Sequence, residues 1–100
     1  MGWATHAIGK LKCGETVTLT PHGNSMLPRI KSGQTCVVAP LEDGQPEKGD
    51  VVLCKVNGNE YLHIVKAVQG SRYQIGNNKG RINGWVGRGA IFGRLVENGR

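Results

Sequence analysis

The sequence predicts a mainly β fold of short strands with one short helix near its start. Three observations carry this. Sixteen glycines against five aromatic residues in 100 positions mean frequent turns and little long helix. Short β-branched and apolar runs are separated by Gly, Asn, Pro and Asp. Two of these runs flank Asn57-Gly58-Asn59, a strong hairpin signal.

The elements follow in order. Trp3, Ala4, Ala7, Ile8 and Leu11 recur at helical spacing, and Gly14 ends that helix. Thr16 to Thr20 alternates and reads as a strand. Pro21 to Gly33 reads as a loop with one helical turn after Ser25, and Gln34 to Ala39 as a strand. Pro40 to Gly49 is acidic and turn-rich. Asp50 to Val56 and Tyr61 to Val68 form the hairpin, and Arg72 to Ile75 follows as a short strand. Gly76 to Gly84 reads as a loop and Ala90 to Val96 as the last strand. Such strands build a small barrel or coiled sheets.

One hundred residues make one domain, 1–100. No apolar run reaches the roughly 18 residues of a membrane span, and the opening residues lack a secretory pattern. A soluble, cytoplasmic protein is expected. Cys13, Cys36 and Cys54 are odd in number and lack CxxC spacing, which argues against a disulfide scaffold or a structural zinc site. Cys36 and Cys54 read as buried thiols. His6, His22 and His63 show no metal-ligand spacing, so neither metal nor other cofactor is expected. Residues 1–60 carry six Lys/Arg and six Asp/Glu, so the whole net charge of +6 lies in 61–100. Such a basic half attracts an acidic protein or nucleic acid, or simply keeps the domain soluble. Arg81, Trp85 and Arg88 are the candidate nucleic-acid contacts, by phosphate pairing and base stacking. Gly76-Asn77-Asn78-Lys79-Gly80-Arg81 lacks the GxxxxGK[ST] pattern of a phosphate loop and reads as a turn.

The most informative stretch is Gly23-Asn24-Ser25-Met26-Leu27-Pro28, which holds a serine on an exposed corner. Lys31-Ser32-Gly33-Gln34, Lys48-Gly49-Asp50-Val51-Val52, Tyr61-Leu62-His63-Ile64-Val65, Gly76-Asn77-Asn78 and Ala90-Ile91-Phe92-Gly93-Arg94 follow in order. Over about residues 17–96 this ordered set resembles the LexA/signal-peptidase superfamily, peptidase families S24 and S26. The resemblance implies coiled β-sheets with a small barrel and a serine nucleophile at Ser25, with Asn24, Met26 and Pro28 beside the substrate. It also implies a base on a later strand: lysine in one branch, histidine in the other. Here His63 falls at that position. Lys66 is the alternative base, but in a regular strand residues 63 and 66 face opposite sides. A bulge would overturn that parity.

The histidine branch carries acidic residues where this chain has Asn77 and Asn83. Either amide can orient His63, but neither supplies the charge of a carboxylate. Neither a membrane anchor nor a helix-turn-helix is expected beside the domain. Cys13-Gly14 matches a self-cleavage dipeptide of one branch, or is simply a helix end. Two functions follow as expectations. One is a soluble serine peptidase acting on extended peptides or proteins. The other is a catalytically silent regulator of the same fold, such as a phage or mobile element carries, binding an acidic protein or nucleic acid.

Overall fold

The structure, a computed structural model, describes residues 2–23, 25–41 and 44–98. It contains one helix, α1 (Thr5–Lys12), and seven strands: β1 (Val17–Leu19), β2 (Cys36–Pro40), β3 (Val51–Val56), β4 (Asn59–Gln69), β5 (Arg72–Gly76), β6 (Ile82–Gly87) and β7 (Ile91–Asn98). A single 3-10 turn, Arg88–Ala90, joins β6 to β7. All strand pairs are antiparallel, in one sheet of order β1-β2-β7-β3-β4-β5-β6.

The centre of the sheet follows from the sequence of β3. Val51-Val52-Leu53-Cys54 is apolar at four consecutive positions and is buried on both faces. Val51 and Leu53 join one core with α1, Met26, Ile30, Leu62 and Ile64. Val52, Cys54 and Val56 join the other with Val65, Tyr73, Ile75 and Val86. The sheet therefore has apolar packing on both sides. Asn57 (φ 51°) and Gly58 (φ 82°) both have positive φ. That pair of left-handed residues is what a two-residue hairpin turn requires. The turn fixes the register, with Val52 opposite His63 and Cys54 opposite Tyr61.

The strands coil, but the expected small barrel is not closed, because β1 and β6 do not pair among the described residues. Instead β6 curls back toward β3, and a Cβ on Gly84 would lie 3.3 Å from Val56. This coil brings β6 beside the start of β4. Cys36 and Cys54 are buried free thiols, and burial pushes the Cys54 thiol up to about 12. Cys13 is exposed.

Helix α1 buries Ala7, Ile8 and Leu11 and carries Lys10 and Lys12 in its last turn, where cations suit the helix dipole. Its N-terminus borrows a cap from β4. Glu60 accepts hydrogen bonds from the Ala4 N–H and the Thr5 hydroxyl, each at 2.6 Å. Burial alone would raise the Glu60 pKa. The Thr5 and Ala4 hydrogen bonds and the Lys55 charge outweigh it and lower the pKa. The capping contribution is thus present above the ordinary carboxylate range and fades as pH falls through the lowered value. Glu60→Ala is expected to cost about 2 kcal/mol, because it strands a buried donor. Thermal melts at neutral pH should show Tm falling by roughly 8–16 °C. An unchanged Tm would contradict this capping role.

Candidate active site

The loop from Pro21 to Gly33 carries Ser25. It is pinned from below by Met26 and Ile30, both buried in the α1-side core. Its neck is closed by the Gly33 N–H donating to Pro21 O at 2.8 Å and the Gly23 N–H donating to Ser32 Oγ at 3.0 Å. The helical turn after Ser25 amounts to one bond, from the Ile30 N–H to Met26 O. A second loop clamps it: Asn78 donates its backbone N–H to Ser25 O at 2.9 Å and its side-chain amide to Leu27 O at 2.8 Å. Ser25 is therefore held by backbone bonds on both sides of its side chain.

His63 comes from the first half of β4. It is buried, and its ring stacks on Tyr61 with centroids 4.8 Å apart. Its Nε2 lies 3.2 Å from Ser25 Oγ. On the other side, Nδ1 lies 2.7 Å from Asn83 Oδ1 on β6. An amide oxygen can only accept, so Nδ1 carries the proton and Nε2 presents its lone pair to the serine. Burial lowers the His63 pKa below 6.5, and the Asn83 hydrogen bond opposes that shift without overcoming it. The imidazole is thus neutral at pH 7.

The motif Gly49-Asp50-Val51-Val52 acts through the backbone. The Gly49 N–H donates to Val65 O at 2.8 Å and the Val65 N–H to Asp50 O at 2.9 Å. The Asp50 carboxylate accepts from the Glu47 N–H and pairs with Arg94 at 3.3 Å. Together these bonds hold β4 against β3 just beyond His63.

Not every expected residue joins this site. Of the two amides, Asn83 reaches the histidine. Asn77 also lines the cleft, but its side chain closes its own loop, accepting from the Lys79 and Arg81 N–H groups at 2.8 and 2.9 Å. Gly76 lets that loop approach closely, since a Cβ there would lie 2.5 Å from Arg81 O. Lys66 sits where the β4–β5 register shifts, between Val65 and Ala67. That bulge removes the parity argument against Lys66, and its position decides instead. The stem of Lys66 packs over Gly76, and Lys66 is not among the residues lining the cleft. Met26 lines the cleft; Pro28 is exposed and does not. Asn24 lies outside the described residues. His22 lines the cleft near Ser25. Cys13-Gly14 caps α1, with their N–H groups donating to Lys10 O and Leu11 O, and does not line the cleft.

The three candidate nucleic-acid residues are separated. Arg81 lines the cleft and Trp85 does not. The Arg88 guanidinium donates to Ile91 O at 2.9 Å and to Gly44 O, so it braces the fold. They do not form one patch with the cleft.

Two features of the cleft were not read from the sequence. Asn78, beside the assigned Asn77, holds the serine loop, and the Asn-Asn pair was the available signal. Trp3 also lines the cleft, and its indole N–H donates to Glu60 O at 3.0 Å. The cleft measures about 550 Å³. It runs beside a strand edge with no strand partner among the described residues: β4 pairs with β3 from Asn59 to Ile64, but with β5 only from Ile64 onward.

A family model described as Peptidase S24-like matches residues 7–80. The chain belongs to this family. No curated protein matches its sequence. The S24-like match takes in both Ser25 and His63, whereas Asn83 lies beyond it. Among the described residues of this S24-like chain, no helix is long and apolar enough to cross a membrane.

Proposed function

We propose that this S24-like protein is a serine endopeptidase, with Ser25 as nucleophile and His63 as general base. The observation that carries the reading is the continuous relay Ser25 Oγ–His63 Nε2 and His63 Nδ1–Asn83 Oδ1, at 3.2 and 2.7 Å. A serine hydroxyl needs such a base to attack at neutral pH.

An extended peptide adds to the unpaired edge of β4. Glu60 O accepts from Trp3 on that edge, and strand alternation turns the Leu62 backbone groups the same way. Leu62 therefore offers a donor and an acceptor to the peptide backbone. His63 Nε2 takes the Ser25 proton as Oγ attacks the scissile carbonyl carbon. The Ser25 backbone N–H serves the developing oxyanion. The imidazolium stays aligned by its Nδ1–H bond to Asn83. It then returns the proton to the departing amine, and water hydrolyses the acyl-serine by the same base.

The pH dependence follows in sign. Only neutral His63 is a base, and burial lowers its pKa. Ser25-dependent hydrolysis of quenched fluorescent peptides should rise through an inflection below 6.5 and stay level to about pH 8. An inflection near the ordinary lysine range of about 10.4 would point to Lys66 instead.

One observation favours a second reading. Asn83 occupies the place where a carboxylate would stabilise the imidazolium, as in a silent member of the fold that binds a protein or nucleic acid. Under that reading peptides bind the cleft without Ser25-dependent turnover.

A further inference from the structure

We infer that the cleft selects acidic peptides, those with Asp or Glu close to the residue presented to Ser25. This rests on the peptide-cleft reading above but concerns what the cleft recognises.

Among the described residues, the cleft carries more positive than negative charge. Lys31 and Arg81 both line it. Neither side chain has an ion pair or a hydrogen-bond partner among the described residues. Each keeps its backbone occupied: the Lys31 N–H donates to Gln34 and the Arg81 N–H to Asn77. These two cationic side chains are thus fixed at the root and unpaired at the tip among the described residues. Among the described residues, Glu60 is the only carboxylate in the cleft lining. Its two oxygens already accept from Ala4 and Thr5, and it is buried. Those hydrogen bonds come from neutral donors and leave its negative charge in place, so it offsets one of the two cations and the described lining keeps an excess of one positive charge. From Tyr61 to Val96 the sequence supplies no acid at all. A cleft with an excess of one sign of charge raises the local concentration of ligands of the opposite sign.

The same charge would attract nucleic acid, but the cleft favours a peptide. Its open wall is a strand edge that pairs with another backbone, and Trp85 lies outside it. The apolar floor from Met26, Ile30 and Leu62 fits the side chains between the charges.

The test measures binding, not turnover, on the Ser25→Ala protein. Three degenerate octapeptide pools are compared by affinity selection and mass spectrometry, with Glu, Gln or Lys fixed at each position in turn. At about 20 mM salt the best Glu pools should be retained roughly three- to tenfold over the matching Gln pools, with Lys pools last. The preference should shrink at about 300 mM salt. Lys31→Glu/Arg81→Glu should reverse the order, a result that mere structural damage does not produce. Equal retention of the three pools at low salt overturns the inference, as does a Glu preference that survives the charge reversal. Tighter binding of a single-stranded oligothymidine, lost in the same double variant, overturns it in favour of nucleic acid. Glu selection without cleavage by the Ser25-containing protein sinks the peptidase reading alone. Cleavage without charge selection sinks this inference alone.

Discussion

Ser25→Ala and His63→Ala are each expected to lower peptide cleavage by roughly 10⁴-fold or more, and the double variant by no more than the worse single one. The reason is that the two act as one unit. Ser25 Oγ is 3.2 Å from His63 Nε2, and the alternative base Lys66 does not line the cleft: it packs over Gly76 instead. Removing the base leaves a hydroxyl that is barely nucleophilic at neutral pH, and removing the hydroxyl leaves the base nothing to activate. Steady-state kinetics on one peptide check this. Additive losses would mean that the two side chains contribute independently. Neither variant should unfold the chain. Ser25 is held through its backbone by Asn78, and His63 lies in a ladder set by the Asn57-Gly58 turn.

The second large effect is at Asn83. In a serine triad, replacing the aspartate by asparagine costs about 10⁴ largely because the histidine takes the wrong tautomer. Here Asn83 directs Oδ1 at the ring, so the Nδ1–H tautomer is already the productive one. What it lacks is charge to stabilise the imidazolium. Asn83→Asp should therefore raise kcat by roughly 10- to 100-fold and move the rising pH limb upward, since a carboxylate favours the protonated ring. Asn83→Ala should lower kcat by roughly 100-fold and leave KM nearly unchanged, because it removes alignment and not peptide contacts. The kcat–KM split and the pH profile of the three proteins are the measurement. If Asp and Ala variants match the wild type, Asn83 does not control His63.

Much of this was legible in the residues. The hairpin was announced by Asn57-Gly58, and β3 by its four consecutive apolar positions. His63 was favoured over Lys66 by strand parity and by its spacing to Gly76-Asn77-Asn78. Lys66 is the extra residue of the β4 bulge, so strand parity does not decide its facing; its packing over Gly76, away from the cleft lining, sets it apart instead. Strand β6 was not legible. Ile82-Asn83-Gly84-Trp85 has a glycine within it, another close behind at Gly87, and no apolar alternation, so local preference reads it as loop. Pairing with β5, from Arg72–Gly87 to Gly76–Ile82, makes it a strand. That missed strand carries Asn83, so the choice between Asn77 and Asn83 required the fold. The same coil separates Arg81 from Trp85 and Arg88, which stand close together in sequence. Helix α1 was legible from its spacing, but its cap was not. Glu60 is 56 residues from Ala4 in the chain, and only the packed sheet brings them together.

The account's central claim is that Ser25 and His63 form a working nucleophile and base. Peptide-library digestion read by mass spectrometry tests it most directly, with wild type, Ser25→Ala and His63→Ala run in parallel from pH 5 to about pH 9. The account predicts defined internal cuts in the wild type that vanish in both variants and weaken only below pH 6.5. An absence of Ser25-dependent cuts across that range, with all three proteins folded, would contradict it.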